Sequence, residues 1–344
     1  MALKFVDSVE HYDTAHLLKK WTIGGGGVVA GGRNGQGIQL VAGTPFLLKT
    51  LDYESTWIIG FAAKFSVIGP VTSLCFLGAP LVTHVGTTLA QLTVEADGTV
   101  SLYGGTTNLV GNSAGTLVLH DSTWYYFEVK VIYSGASPIN IHGTVRVNGQ
   151  TIIDAAGVST GINSTQLIIQ AAKSDYFGFS PQIGSGNITF DDIYVCDGTG
   201  STNNDFIGDV KILAVYPRLD NTTQWSGGAT PQFSLVNEHI PDDDTTYISS
   251  STANQISDFF FDMISSFTGT VPGVQYLIYA RKDDEGTRSI KHTVDGAPPM
   301  GVPEEFLADL YVYYHIPFDT DPIANAAWTV ANFNSRKFGV KLIS

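Results

Sequence analysis

Charged side chains are scarce in this chain of 344 residues, at 15% against roughly 25% in an average soluble protein. Lysine and arginine account for the shortage: only 18 of them stand against 32 aspartates and glutamates, which leaves a net charge of −14. Proteins that bind DNA, RNA or anionic membranes present clustered lysine and arginine to the phosphates. The composition therefore argues against nucleic acid and anionic membranes as partners.

Cysteine is nearly absent. The chain has two, Cys75 and Cys196, and two widely spaced cysteines imply no disulfide framework. Cys75 lies in the apolar run Leu74-Cys75-Phe76-Leu77, where we interpret it as a buried small hydrophobic residue. The sequence leaves open whether the two cysteines pair.

Long uninterrupted apolar runs are also missing. Residues 66–94 carry no Asp, Glu, Lys or Arg and are long enough to suggest a transmembrane segment. Glycine and proline interrupt the stretch every few residues, which favours two or three buried strands with turns and no membrane insertion. The first residues lack a basic stretch followed by an apolar core, so no secretory signal is predicted. We expect a protein that is made and kept in a cytoplasm, or that leaves it by lysis.

Glycine, threonine, serine and asparagine take the place of charge, as in β-proteins with many turns. Helical periodicity is confined to two short stretches, 11–20 and 254–267. Patterns of period two or short apolar runs predict strands elsewhere, at 57–65, 91–95, 99–103, 124–133, 143–147, 151–154, 167–170, 188–195, 210–216, 274–280, 289–294, 307–314 and 337–343. With no crossover helices between strands, the sequence predicts an all-β fold of antiparallel sandwich or jelly-roll type.

Turn signals supply the connections and a domain boundary. Asp97-Gly98 and Asn148-Gly149 predict hairpins, and the charged segment 281–288 is interpreted as a hairpin tip between strands 274–280 and 289–294. Gly24–Gly27 and Gly31-Gly32 predict turns and bulges that need a positive φ. The polar stretch before residue 217 predicts two domains, 1–217 and 218–344.

The N-terminal domain resembles the laminin G-like, concanavalin A-like jelly rolls. The resemblance rests on the strand at 5–12, the glycine-rich turn at 24–27, the strand beginning at Trp124, the hairpin at 145–149 and the strand at 190–195. It implies that the first and last strands lie side by side, which would pair 5–12 with 190–195. The smaller C-terminal domain is predicted to be a second β-sandwich.

A second resemblance covers most of the chain. The string from Phe190 to Lys211, together with 280–288, 321–329 and 338–341, is similar to patterns common in structural proteins of tailed bacteriophages. The resemblance implies a component of a virus particle, assembled in the host cytoplasm and released by lysis. It does not specify a place on the particle.

The sequence carries no recognisable catalytic motif. Jelly-roll polysaccharide hydrolases carry carboxylates in a Glu-x-Asp-x-x-Glu pattern, which this chain lacks. Glu95-Ala-Asp97 runs into a glycine turn, and Asp191 and Asp192 are adjacent, which predicts that they point to opposite faces of a strand. The eight histidines form no zinc motif, and no phosphate-binding loop or nucleophile signature is present. We therefore predict no catalytic residues and no cofactor.

Two kinds of binding residue remain as candidates. The carboxylate clusters Asp242–Asp244 and Asp283–Glu285 could bind calcium, although solvated turn residues are the simpler interpretation, and the question stays open. Six aromatic residues could form a stacking platform for a sugar, with core packing as the alternative. They are Trp225, Tyr247, Tyr311, Tyr313, Tyr314 and Trp328.

These inferences lead to one functional expectation. We expect a non-catalytic structural protein of a tailed-phage virion, in the tail or adsorption apparatus, bound to other virion proteins and to copies of itself. Its jelly roll would be available to host surface glycans. Two alternatives stay open, a decoration protein on the phage head and a free carbohydrate-binding lectin.

Overall fold

The computed structural model describes residues 2–69, 71–79, 87–135, 139–159, 173–181, 186–228, 231–264 and 269–344. In these ranges the chain is built from antiparallel strands, and its α-helices are two short ones, α1 (Leu17–Lys20) and α2 (Val330–Ser335). Neither is long and apolar enough to cross a membrane. The prediction of an all-β sandwich fold is confirmed.

Contacts divide the chain into two compact units. The N-terminal unit holds Ala2–Val9 and Asp13–Ile212, and the C-terminal unit holds Leu213–Ser344 together with Glu10–Tyr12. The domain boundary that the sequence places between residues 217 and 218 remains a prediction.

The N-terminal unit is a two-layer sandwich of 14 described strands. They are β1 (Leu3–Asp7), β2 (Gly27–Gly32), β3 (Gly35–Val41), β4 (Leu47–Glu54), β5 (Thr56–Phe65), β6 (Val71–Ala79), β7 (Thr87–Val94), β8 (Val100–Gly104), β9 (Asn108–Asn112), β10 (Trp124–Ser134), β11 (Ile139–Val147), β12 (Gln150–Ser159), β13 (Ser174–Phe179) and β14 (Asn187–Cys196). The eight-stranded sheet has the order β12-β11-β10-β5-β14-β3-β2, with β1 also paired to β14. The six-stranded sheet has the order β4-β13-β6-β7-β8-β9.

Aromatic side chains from both sheets fill the space between them. Phe179 of β13 packs 4.9 Å from Phe61 of β5 and 4.5 Å from Phe190 of β14, measured between ring centroids. Phe177 packs on Phe5 in the same way. Each of these side chains is fully buried, and such burial contributes about 1.5–3 kcal/mol per large apolar side chain. The alternation that the sequence shows in these strands is thus the alternation between core and exterior.

The implied pairing of the first and last strands is present. Phe5 lies opposite Val195 and Asp7 opposite Ile193 in the antiparallel pair of β1 and β14. However, β1 ends at Asp7, and the expected continuation to residue 12 is wrong. Val9 has a φ of 64° and donates its N–H to the Asp7 carboxylate, so the chain turns away from the sheet.

Other local predictions for this unit have mixed outcomes. The Asn148-Gly149 turn has φ values of 50° and 79°, as a type I′ hairpin requires, and is confirmed. Gly26 and Gly31 have the expected positive φ. The helical stretch 11–20 shortens to α1, which follows a 3-10 turn at Thr14–His16. The strand predicted at 167–170 lies outside the described residues.

The C-terminal unit is a smaller sandwich. Its strands are β15 (Pro217–Thr223), β16 (Ser226–Gly227), β17 (Ile248–Ser249), β18 (Ile256–Phe261), β19 (Val274–Ala280), β20 (Ser289–Val294), β21 (Glu305–Phe306), β22 (Val312–Phe318) and β23 (Lys337–Leu342). A five-stranded sheet has the order β15-β18-β23-β20-β21, and β19 pairs with β22 in a second sheet. Tyr276 of β19 packs 5.4 Å from Phe338 of β23, so the core lies between these two sheets.

Four sequence predictions fail in this half of the chain. Residues 256–261 form β18 and not a helix, because they pair with β15 on one side and β23 on the other. Strands β19 and β20 form no hairpin, since β19 pairs with β22 and β20 with β23. Residues 210–216 form no strand, and the strand predicted at 307–314 is instead β22, which begins at Val312. Non-local pairing, which periodicity does not encode, decided the outcomes for β18, β19 and β20.

Candidate functional site

The outer face of the six-stranded sheet is the strongest candidate for recognition in the N-terminal unit. Its aromatic end consists of Leu48, Phe76 and Tyr176, which pack together on the side of the sheet away from the sandwich core. The ring of Tyr176 lies against Gly78 and that of Phe76 against Gly178, where any Cβ atom would overlap the ring. The two glycines therefore let both rings lie close to the sheet.

A row of side chains crosses four strands of this face. Gly178 of β13 lies opposite Phe76 of β6, Phe76 opposite Gln91 of β7, and Gln91 opposite Tyr103 of β8. Directly opposed residues share a face, so these positions form one continuous strip. Phe46 packs edge-on to Phe76 at 5.7 Å and is 41% exposed. We call this strip, with Phe46, the aromatic–amide row.

Neutral hydrogen-bonding groups continue the face beyond the rings. The Ser73 hydroxyl donates to Gln91 Oε1 at 2.8 Å, and the Gln91 amide donates to the Thr106 carbonyl at 3.4 Å. On β7, the Thr93 hydroxyl donates to Glu95 Oε1 at 3.1 Å. Aromatic surface beside amides and hydroxyls can pack on the apolar side of a sugar ring and bond its hydroxyl groups.

The adjacent carboxylates Asp191 and Asp192 form a buried pair, contrary to the sequence prediction. A β-bulge gives Asp192 a φ of 49°, so the two side chains do not alternate between faces. Asp191 Oδ2 accepts from the backbone N–H groups of Arg33 (2.7 Å) and Asn34 (3.0 Å). Asp192 accepts from the Asn34 amide at 2.9 Å and from the Ile212 N–H at 2.8 Å. Burial raises the pKa of Asp191 to about 7 and also raises the pKa of Asp192.

Every oxygen of this pair has a donor within the protein, because Asp191 Oδ1 also accepts from the Asp192 N–H. Arg33 extends the network, with its guanidinium 2.6 Å from Asp209 and bonded to the Val210 carbonyl. The pair therefore fastens residues 33–34 and 209–212 to the bulge in β14. It does not present two carboxylates across a cleft, as glycoside hydrolysis needs.

The rest of the segment 190–211 is attached to the same sheet. Buried Glu128 accepts from the Tyr194 hydroxyl and from the Gly208 N–H, both at 2.7 Å. Phe206 and Ile207 pack against the apolar cluster on the outer face of the eight-stranded sheet that includes Tyr194. Residues 206–208, in the second half of the segment 190–211, are thus attached to the eight-stranded sheet.

Each calcium candidate cluster has a carboxylate engaged with an arginine of the protein. Asp244 Oδ1 accepts from Arg281 at 2.8 Å and from the Tyr311 hydroxyl at 3.0 Å. In the other cluster, Asp284 accepts from Arg288. The described ranges contain no group of three or more His, Cys, Asp or Glu side chains arranged to hold a metal ion.

The six candidate aromatic residues do not form one platform. Trp328 is a buried core residue, Tyr314 packs with Trp225 in a separate apolar cluster, and Tyr247 is 49% exposed. Tyr311 and Tyr313 come together through Tyr279, which sequence reasoning missed. Tyr279 could have been found only from the pairing of β19 with β22, which places it opposite Tyr313.

The three tyrosines form a ladder that occupies their own ring faces. Tyr279 stacks on Tyr311 at 4.9 Å with the planes 11° apart, and it lies 4.7 Å from Tyr313. The Arg281 guanidinium lies 5.3 Å from the Tyr311 ring centroid. Rings that stack on one another in this way leave little face for a sugar. In the aromatic–amide row the exposed ring is that of Phe46, at 41%, since Phe76 and Gln91 are each 8% exposed.

Both cysteines are buried. Burial of Cys75 is as the sequence predicted, and it raises the pKa of its thiol strongly. Cys196 lies at the end of β14 and is 1% exposed. No disulfide joins the two residues.

No protein family model and no curated protein matches this chain. Among solved structures it is similar to the cellulose induced protein Cip1, at 14% identity over 56% of this chain and 96% of that one, with a TM-score of 0.38. It is also similar to the alginate lyase Aly36B, at 12% identity over 46% of this chain and 80% of that one, with a TM-score of 0.35. A marine PL-14 alginate lyase from Aplysia kurodai matches at 10% identity over 49% and 85%, with a TM-score of 0.35. Similarity at this level carries no argument about function.

Proposed function

We propose that this chain is a non-catalytic structural protein of a tailed-phage virion, located in the tail or adsorption apparatus. In this proposal the N-terminal unit offers the outer face of its six-stranded sheet to host surface glycans. The virion assignment rests on the resemblance of residues 190–211 and of the C-terminal strings to phage structural proteins. The glycan assignment rests on the aromatic–amide row.

A non-catalytic role is supported by the state of the acidic residues. Asp191 and Asp192 are the one adjacent carboxylate pair in the phage-like string, and both accept hydrogen bonds from the protein at every oxygen. Glu95 and Asp97 lie beside the turn between β7 and β8, where Asp97 accepts from the Thr99 N–H. Groups engaged in this way are supports for the fold and not acids or bases facing a substrate.

The location is tested by the copy number in purified virions, measured by mass spectrometry and normalised to the major capsid protein. A value of about three to twelve, the range of closed rings and their attachments, would support the tail or adsorption apparatus. Hundreds of copies would favour the decoration protein. Complete absence from particles would contradict both and leave the free lectin.

The glycan assignment is tested with the full chain on a glycan array, followed by titration of the best ligand. Replacing Phe46 by alanine should weaken binding about fivefold, since aromatic contacts contribute roughly 1 kcal/mol beyond the area they bury. Ile132→Ala is the matched control, because Ile132 is 37% exposed and lies on the eight-stranded sheet. An equal loss in both variants, or no glycan bound by the wild type, would contradict this assignment.

A further inference from the structure

Two lysines of the C-terminal unit differ from its other cations. From Leu213 to Ser344 the chain has eight lysines and arginines against sixteen aspartates and glutamates. Five of the cations form ion pairs, namely Arg281, Lys282, Arg288, Arg336 and Lys337. Arg218 donates to the Phe261 carbonyl. Within the described part of the chain, the side chains of Lys291 and Lys341 have neither an ion pair nor a hydrogen bond.

These two lysines face each other. Lys291 of β20 lies directly opposite Lys341 of β23 in the five-stranded sheet. Directly opposed residues have Cβ atoms about 5 Å apart, and like charges at that spacing destabilise a sheet. Both side chains are half-buried. A unit with twice as many acids as bases therefore keeps two adjacent, uncompensated cations, which an external carboxylate would neutralise.

An exposed aromatic ring lies on the same side of the sheet. Phe306 of edge strand β21 is opposite Ser289, which is two residues before Lys291 and so shares its face. The Phe306 side chain is 64% exposed. We call Lys291, Lys341 and Phe306 together the lysine–phenylalanine face. Its chemistry suits an acidic segment that can also cover an apolar ring.

The chain itself carries a segment of that chemistry. Asp283 and Glu285 are exposed in the loop that leads into β20, and in the described residues neither side chain has an ion pair or a hydrogen bond. The acid between them, Asp284, is already paired with Arg288. Two unpaired acids thus match two unpaired lysines, although the two pairs do not meet within one copy.

We propose that the lysine–phenylalanine face docks the acidic loop of a second copy of this chain. The loop leads into β20, the strand that carries Lys291, so each copy offers both the acids and the lysines. A twofold arrangement would bring the loop of each copy against the lysines of the other. The inference rests on the C-terminal unit alone and stands independently of the proposed virion role.

The test is a set of charge exchanges in the full chain, with mass measured by light scattering over a concentration series. Exposed ion pairs are screened by salt, so the series is run at about 50 mM and about 500 mM salt. Lys291→Glu with Lys341→Glu, and separately Asp283→Lys with Glu285→Lys, should each raise the dissociation constant about tenfold or more. Combining all four substitutions should restore self-association. Lys173→Glu with Lys211→Glu, which changes the net charge equally on the N-terminal unit, should leave it unchanged.

The outcomes separate clearly. Self-association of the wild type that weakens at high salt, is lost in both charge-reversed variants and returns in the combined variant would support the proposal. A wild type that stays monomeric at low salt would overturn it, as would a lysine variant that associates normally. The loop variant guards against misfolding of the strand variant, because Asp283 and Glu285 lie on an exposed loop. A combined variant that is folded but monomeric would also refute this pairing.

Discussion

Replacing Arg336 by methionine should destabilise the C-terminal unit more than any exposed charge substitution. Arg336 Nε and Nη2 both donate to the Asp321 carboxylate, with the shortest distance at 2.6 Å, while Nη1 donates to Asp295 at 2.9 Å. Asp321 is completely buried. Without the guanidinium, its charge would keep only the backbone N–H groups of Ile323 and Ala324 as donors.

The size of the stability loss follows from leaving the Asp321 charge buried without its guanidinium partner. Removing one partner of a buried ion pair costs about 3–5 kcal/mol, because the remaining charge stays in a poorly solvated site. Asp295 contributes little to this loss, since Lys337 stays bonded to it through both its N–H and its ammonium group. A second change, Asp321→Asn, removes the stranded charge, so the double variant should recover at least about 1 kcal/mol.

Urea unfolding at neutral pH measures these differences. The matched control is Lys282→Met, which breaks an ion pair with Asp309 whose side chain is 80% exposed, and it should cost no more than about 1 kcal/mol. The reasoning is refuted if Arg336→Met loses no more stability than this control. It is also refuted if the double variant is less stable than Arg336→Met alone.

Three further predictions concern the N-terminal unit. Because burial raises the pKa of Asp191 to about 7, its carboxyl should titrate near pH 7 by carbon NMR. The native state then binds that proton more tightly than the unfolded chain does. The free energy of unfolding should therefore fall as pH rises from about 4 to 7. An NMR titration midpoint near pH 4 would contradict this prediction. Gly60→Ala should cost about 1–3 kcal/mol in thermal unfolding, because the new Cβ would overlap the Tyr194 ring, whereas Gly228→Ala has open space and should be close to neutral. The Cys75 thiol should resist alkylation in the native protein and react after unfolding, and rapid native labelling would show that it is not enclosed as described.

Strands with strong alternation were predictable because one face of each is core. The two strands joined by the Asn148-Gly149 turn, β11 and β12, needed only local information, since a two-residue turn sets the register of its strands. The segment 254–267 predicts a helix because its apolar residues also suit a helical face. Its pairing with β15 and β23 depends on residues more than 30 positions away.

The candidate sites were harder to predict for the same reason. Phe76 and Gln91 belong to separate apolar strands in the sequence, and only the pairing of β6 with β7 makes them neighbours. Side chains alternate between faces along a regular strand, which predicts opposite faces for Asp191 and Asp192. The β-bulge at these residues interrupts that alternation. Lys291 and Lys341 are 50 residues apart and carry no motif.

Composition and periodicity by themselves determined the all-β class, the turns at glycine and asparagine and the burial of the alternating apolar residues, because these follow from backbone sterics and from the removal of apolar surface from water. The tertiary structure alone decided which strands are neighbours, and therefore which side chains meet. It buried two adjacent acidic residues as a pair, divided the aromatic candidates between core and surface, and placed two lysines opposite each other with no ion pair among the described residues. Those outcomes depend on long-range pairing, whose free energy is shared by the whole sheet and is not encoded in any short segment.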